Sequence, residues 1–417
     1  MNLSQRLIES TSIKVRAEDF KSSSKVKGRD FSRKRKLSFE ELILFMLMNF
    51  KSTAQSALRR LFKDIGRAVF MRQQSLSEAR YKIRHEAFIE LFRLTVEPML
   101  EECQKKWHGY RLLAIDGSKI NLPSDASLRE YFGGNSVGAK TPQAQGSIFY
   151  DVLNDIVLDA DIAPLSTCER RLAHNHITAC SELLRDQKKI VICDRGYASF
   201  ALIEKLTGQG FHYLMRVRKK FNLDIDAQTT LDGFVKLSQN GKQMQVRVIK
   251  FTLDSGEEEV LITNITDKRL GRKAFKKLYF MRWSVETKYD MVKNKLQLEN
   301  FSARLPEGIK QDFFATMYLA NMVASLKYDA QAKLDSILKH SDNKHSYKVN
   351  TNELIGVLKD RFVLAFTLDD TDMQMKVVQS IVDEIALFIV PVRPQRCVLR
   401  NHMTRRAKWH FNKKSNC

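Results

Sequence analysis

The chain has 417 residues, 43% apolar and 28% charged, which excludes a disordered or fibrous protein and leaves room for roughly two to four domains. Lys and Arg number 70 against 48 Asp and Glu, and the resulting +22 is most simply explained by a polyanionic partner. The longest apolar run, residues 42–50, is too short to cross a bilayer, the N-terminus lacks the apolar stretch of a secretory signal, and six cysteines without C-x2-C spacing fit reduced thiols, so the expectation is a cytoplasmic protein with no membrane association.

Residues 1–105 read as helices and as a candidate DNA-binding region. Ser38 and Glu41 form an S-x-x-E capping box before the apolar run. Further helical patterns cover residues 54–62 and 75–99. Arg59, Arg60, Arg80 and Arg84 on these short helices would suit a helix-turn-helix module. Ahead of Ser38 lies KGRDFSRKRK, residues 27–36, which reads equally as a solvated arm or as an arm that contacts phosphates. From Arg111 the period changes. A strand over residues 112–115 ends in Asp116-Gly117-Ser118. Two β runs, 147–152 and 156–162, are joined by the turn Leu153-Asn154-Asp155. A helix over 169–186 follows, on which His174 and His176 read as surface or capping residues. Next come a strand over 189–193 ending at Asp194, a helix over 199–206 and a strand over 211–217. This order predicts a mixed α/β sheet over 106–217. Residues 218–265 read as a β-rich insertion, with strands over 243–253 and 257–265 around Asp254-Ser255-Gly256. A single long helix is predicted over 271–296, within a second part of the α/β domain at 266–335. Residues 336–417 read as a helical C-terminal region closing in a basic tail from Arg393.

Chemistry concentrates at three acids. Asp116 and Asp194 each close a predicted strand, and carboxyl ends of neighbouring strands lie side by side at a sheet edge. Glu286 lies on the long helix in YFMRWSVETKYDMVK, where Tyr279, Arg282, Glu286 and Lys293 keep the spacing Y-x2-R-x3-E-x6-K and fall along one stripe. Val285, Tyr289, Val292 and Leu296 form an apolar stripe beside it. Converging carboxylates suit hard divalent cations, and two such ions roughly 3.5–4 Å apart serve phosphodiester cleavage. Each acid also has a plainer reading: a strand-end Asp is commonly a turn residue, and Glu286 can pair with Arg282 at i,i+4. Arg195 can pair with Asp194 or with a phosphate, and Trp283 reads either as a base-stacking platform or as a packed side chain.

The IDGSKINLP segment with Asp116, the ICDRGY segment with Asp194 and the Tyr279–Lys293 segment, in this order and with a β-rich stretch between the second and third acids, resemble bacterial insertion-sequence DDE transposases of the YREK group, the IS-four type. The resemblance implies an α/β fold, a ribonuclease-H-like mixed sheet with a β-rich insertion flanked by helical N- and C-terminal regions. It implies that Asp116, Asp194 and Glu286 are catalytic and bind Mg2+ or Mn2+, two ions per site. Tyr279 and Arg282 would hold a phosphate, and Lys293 would contact the DNA terminus. The partners would be double-stranded DNA, as inverted-repeat ends and target, on which a homodimer acts by cut-and-paste transposition in the bacterial nucleoid. A ribonuclease-H-like nuclease that cuts without joining, and a non-catalytic DNA-binding relative, are the alternatives.

Overall fold

The computed structural model of the protein describes residues 1–33, 35–48, 54–67, 71–134, 141–253, 256–339, 345–368 and 370–392. Asn49 and Phe50 of the apolar run, Asp254 and Ser255 of the expected turn, and the basic tail from Arg393 lie outside the described residues.

In chain order the elements begin with α1 (Leu3–Arg16), α2 (Glu18–Ser24), α3 (Phe39–Leu47), α4 (Ala54–Asp64), α5 (Gln73–Arg80), α6 (Glu86–Leu94) and α7 (Val96–Glu102). There follow β1 (Arg111–Asn121), α8 (Ala126–Phe132), β2 (Gln143–Asp151), β3 (Ile156–Pro164), α9 (Glu169–Ser181), β4 (Lys189–Cys193), α10 (Phe200–Gly208) and β5 (His212–Val217). Next are α11 (Leu223–Ala227), β6 (Asp232–Gln239), β7 (Lys242–Thr252), β8 (Glu258–Thr263), α12 (Arg272–Phe280) and α13 (Ser284–Asp290). The last are α14 (Pro306–Leu338), β9 (Tyr347–Val349), α15 (Thr351–Thr367), α16 (Thr371–Ile385) and β10 (Ile389–Pro391). The chain divides into two compact units, Met99–Lys293 and the two flanking segments taken together.

The flanking unit is built on α14, against which α1, α3, α6 and α16 pack. Residues 308–326 of α14 are buried almost all round except at Lys310, as befits a helix at the centre of a bundle. Its polar side chains are bonded inside: Tyr318 donates to Thr11 Oγ1 at 2.9 Å and Asn321 donates to Thr95 Oγ1 at 2.9 Å. The Ser38/Glu41 capping box opens α3 as expected. The helical pattern over 75–99 divides into three helices. Arg80 ends the first, because its buried guanidinium is held by Gln311, Ser302, the Gly308 carbonyl and Asp312 at 2.7–3.1 Å. That engagement removes Arg80 from the expected helix-turn-helix surface.

The central unit is an eight-stranded sheet in the order β3-β2-β1-β4-β5-β8-β7-β6. β1 pairs antiparallel with β2 and parallel with β4, and β4 pairs parallel with β5. This is the mixed sheet of a ribonuclease-H-like fold. The hairpin between β2 and β3 turns at Asp155, whose φ is 63°. β5 pairs antiparallel with β8, so residues 218–265 extend this same sheet by three strands. Leu112, Ile190, Ile192 and Leu214 form one face of it and pack against Phe275, Leu278 and Tyr279 of α12, all buried. Burying each such aliphatic chain contributes about 1.5–3 kcal/mol.

The helix expected as one piece over 271–296 is broken. A 3-10 turn, Met281–Trp283, separates α12 from α13, and a π-helical turn, Met291–Lys295, follows α13. The breaks fall in a stretch with weaker helix formers, Trp283, Val292 and Asn294 among them, whose apolar stripe is packed. Val285, Tyr289, Val292 and Leu296 are all buried as the apolar stripe requires.

Candidate active site

β1 does not stop at Asp116 but runs on to Asn121, because Gly117, Ser118 and Lys119 continue the ladder with Ser147, Gly146 and Gln145 of β2. Gly117 leaves room there for the ends of two long side chains. A Cβ on it would lie 2.8 Å from Glu169 Oε1 and 2.7 Å from Gln145 Nε2. Asp116 is therefore a residue within a strand, and Asp194 follows the last residue of β4. The parallel register pairs Leu112 with Ile190 and Ala114 with Ile192. Continued two residues beyond its last pair, that register would bring Asp116 level with Asp194, which follows the end of β4. By alternation both belong to the sheet face that α12 covers.

The helical segment on that face supplies the remaining groups. Tyr279, buried, donates its hydroxyl to Asp194 Oδ1 at 3.1 Å. Arg282 is 6% exposed and donates Nη2 to Glu286 Oε1 at 3.0 Å, while its Nε is buried with no hydrogen-bond partner. The Arg282–Glu286 pair expected at i,i+4 is thus present, but on a guanidinium taken out of water. Tyr289 donates to the Asp116 carbonyl at 3.0 Å and Lys293 donates to the Lys119 carbonyl at 2.5 Å. Trp283 is 46% exposed and sits edge-on to Phe280, while the adjacent Arg282 is buried, so those two do not share a face. Arg195 is exposed, and its contact with Asp194 is made by its backbone N–H at 2.7 Å.

The electrostatics follow from burial. Desolvation pushes the Asp116 carboxyl up to about 7, with Glu286 and Glu169 adding to the rise against the pull of Arg282 and the Gly117 N–H. Burial also raises Tyr279, and the Asp194 charge adds to it. Burial opposes the charge on Arg282, but Tyr279, Asp194 and Asp116 outweigh it and raise its pKa. Cys193 beneath the site is pushed up to about 12 by complete burial, which keeps it an inert thiol. One guanidinium therefore answers several acids.

The donor set, carboxylates only, fits a hard divalent cation. Their ligand oxygens are not drawn together. Among the described residues the only cluster of three or more with ligand atoms all within 4.8 Å is His85, Glu86 and Glu307 of the flanking unit.

Two residues at the site escape a reading of the sequence. Glu169, the first residue of α9, reads as an ordinary helix-start acid, yet it lies against Gly117 and receives Gln145 Nε2 at 3.2 Å. His176 is not the surface or capping residue expected. It is fully buried, its Nδ1 2.8 Å from Asp159 Oδ2 and its Nε2 2.9 Å from Ser147 Oγ. The signal for it was its position among Leu172, Ala173, Ile177 and Cys180, the buried face of α9.

The fold is a ribonuclease-H-like sheet that carries Asp116 within β1 and Asp194 just past the end of the parallel strand β4, with Glu286 on α13. The family model described as "Transposase DDE domain" matches residues 107–322, just over half of the chain. The chain belongs to the transposase DDE domain family, and is accordingly a DNA transposase, an enzyme that cleaves and transfers phosphodiester bonds in DNA. A solved cryo-EM structure of a piggyBac transposase synaptic complex with hairpin DNA is similar at 11% identity and a TM-score of 0.49, over 91% of this chain and 81% of that one. Comparison with curated proteins gives no match. Among the described residues no helix is long and apolar enough to cross a membrane.

Proposed function

We propose that Asp116, Asp194 and Glu286 are the catalytic carboxylates of this transposase and together hold divalent cations, Mg2+ or Mn2+, two per site. The observation that carries the reading is the parallel pairing of β1 with β4 up to Ala114 and Ile192, with Asp116 and Asp194 each two residues further along and Glu286 joined to Arg282 nearby. Bound cations would activate the attacking hydroxyl and neutralise the leaving oxygen. Tyr279 fixes one oxygen of Asp194, leaving the other for a ligand. Arg282, with an Nε lacking a partner, is poised to donate to a phosphate oxygen, for which a guanidinium is the matched fork. Lys293 is tethered to β1 beside Asp116 and carries a charge suited to the DNA terminus. Arg195, exposed beside Asp194, is suited to the same backbone, and Trp283 offers an aromatic face to a displaced base.

In this reading the protein is an insertion-sequence enzyme of the YREK group. It binds the inverted-repeat ends of its element as a homodimer, frees a 3′-hydroxyl and joins it to target DNA, working in the bacterial nucleoid. The net charge of +22 supports the polyanionic partner. The test is incubation of purified protein with Mg2+ and DNA carrying the flanking repeats, with mapping of products. Cleavage at the repeat ends followed by joining of a pre-cut 3′-hydroxyl end is the expected result. Cleavage without joining would favour a nuclease, and end binding without cleavage a non-catalytic relative.

A further inference from the structure

The basic stretch 27–36, apart from Lys34, which lies outside the described residues, is a built surface together with its surroundings. Its start is anchored where Val26 N–H donates to the Lys82 carbonyl at 3.0 Å and Lys25 bridges Ile83. Its end is anchored where Arg67 Nη2 donates to the Lys36 carbonyl at 2.8 Å and Leu37 is buried. Between them Asp30 accepts the Lys27 N–H at 2.9 Å, Ser32 Oγ donates to the Arg29 carbonyl at 2.8 Å, and Phe31 packs edge-on to Phe39 at 5.4 Å. The turn and the start of α5 enclose a concavity of about 930 Å³, lined by Lys27, Arg29, Arg33, Arg35, Lys36 and Arg72 among others.

Several cations elsewhere in the same unit are paired. Arg16, Arg67, Arg80, Lys333 and Arg361 all meet carboxylates. Among the described residues Lys27, Arg29, Arg33, Arg35 and Arg72 form no ion pair, although they crowd one hollow; of the two acids that line it, Asp30 is engaged by the backbone of Lys27 and Glu78 accepts from Gln74 Nε2 at 3.2 Å. Like charges held together on an anchored turn repel, a cost that an occupant with regularly spaced anionic groups removes. The hollow is of the size that takes a ligand segment rather than a single ion.

We propose that this concavity is a docking site for the sugar–phosphate backbone of duplex DNA, and that it contributes sequence-independent affinity. The inference rests on the transposase reading above and adds to it a defined surface outside the carboxylate site. Lys27, Arg29, Arg33, Arg35 and Arg72 give it charge, and the anchored turn spares the ordering cost that a loose arm would incur on binding.

The test measures binding of the full-length protein to duplex DNA of arbitrary sequence as a function of salt. For every phosphate that a variant no longer neutralises, the slope of log K against log salt should shrink by about 0.9. The triple variant Arg29→Ala, Arg33→Ala, Arg35→Ala should bind about tenfold or more weakly, with a slope shallower by about 2–3. The matching Arg→Lys triple should keep the slope. A triple variant elsewhere in the unit, Arg16→Ala, Lys333→Ala, Arg361→Ala, removes the same charge and should leave the slope within about one of wild type. A folded turn variant with wild-type slope, or an equal weakening in the second triple, overturns the docking site while leaving the transposase reading intact. Failure of the wild-type protein to bind duplex DNA at all would count against the transposase reading itself.

Discussion

Two buried arginines, one in each compact unit, separate structure from function. Arg80 and Arg282 are each 6% exposed. Arg80 has Nε, both Nη groups and a carboxylate partner accounted for by Gln311, Ser302, Gly308 and Asp312. Arg282 has a hydrogen bond to Glu286, a buried Nε without a partner, and Asp116 and Asp194 within electrostatic reach. A saturated buried guanidinium holds a fold together. An unsaturated one, facing carboxylates of which one is pushed to about 7, is a site waiting for charge.

The contrast can be broken experimentally. Arg80→Ala leaves Asp312 and Gln311 buried without their partner and should cost about 3–5 kcal/mol in chemical denaturation. Glu286→Gln should lower cleavage by about 10³-fold or more, some 4 kcal/mol of barrier, while duplex binding and stability stay near wild type. Near-wild-type cleavage by that variant in Mg2+ would remove Glu286 from the site. Arg282→Ala should slow cleavage by about 10–100-fold through misplacement of the end, with little change in the Mg2+ dependence. An unchanged rate would make Arg282 a second Arg80.

The raised Asp116 carboxyl gives the apoprotein a pH signature. Its pKa is about 7 when folded and near the ordinary 3.8 when unfolded. Between those values the unfolded chain has released a proton that the folded one keeps, so stability falls as pH rises through this window and levels off above about 7. In chelator, Asp116→Asn should flatten that slope and stabilise the protein above pH 7 by on the order of 1–3 kcal/mol. Parallel pH profiles for wild type and variant would contradict the burial of this group. The smallest effect is expected at Trp283: Trp283→Ala should leave cleavage of pre-opened ends nearly intact and weaken by about 1 kcal/mol any step that displaces a base.

The strands around the acids were legible because their continuous apolar runs are intrinsic. Leu112–Ile115 and Lys189–Cys193 read as strands from their own residues, and the β2–β3 hairpin from Leu153-Asn154-Asp155. The extension of β1 beyond Asp116 was not legible, because Asp-Gly-Ser reads as a turn unless the β2 partner is known. Nor were the breaks at Met281–Trp283 and Met291–Lys295, in a segment whose apolar stripe keeps a helical period throughout. Tyr279, Arg282 and Glu286 stood out by spacing alone. Glu169 and His176 did not, since what marks them is contact with Gly117, Ser147 and Asp159, residues distant in the chain.

The chemistry of the site turns on one binding event. Calorimetric titration of Mn2+ into chelator-treated protein should show binding that Asp116→Asn, Asp194→Asn and Glu286→Gln each weaken strongly, with His85→Ala, from the separate His85–Glu86–Glu307 cluster, leaving it intact. Binding unchanged by all three carboxylate substitutions, in folded variants, would contradict a shared cation site.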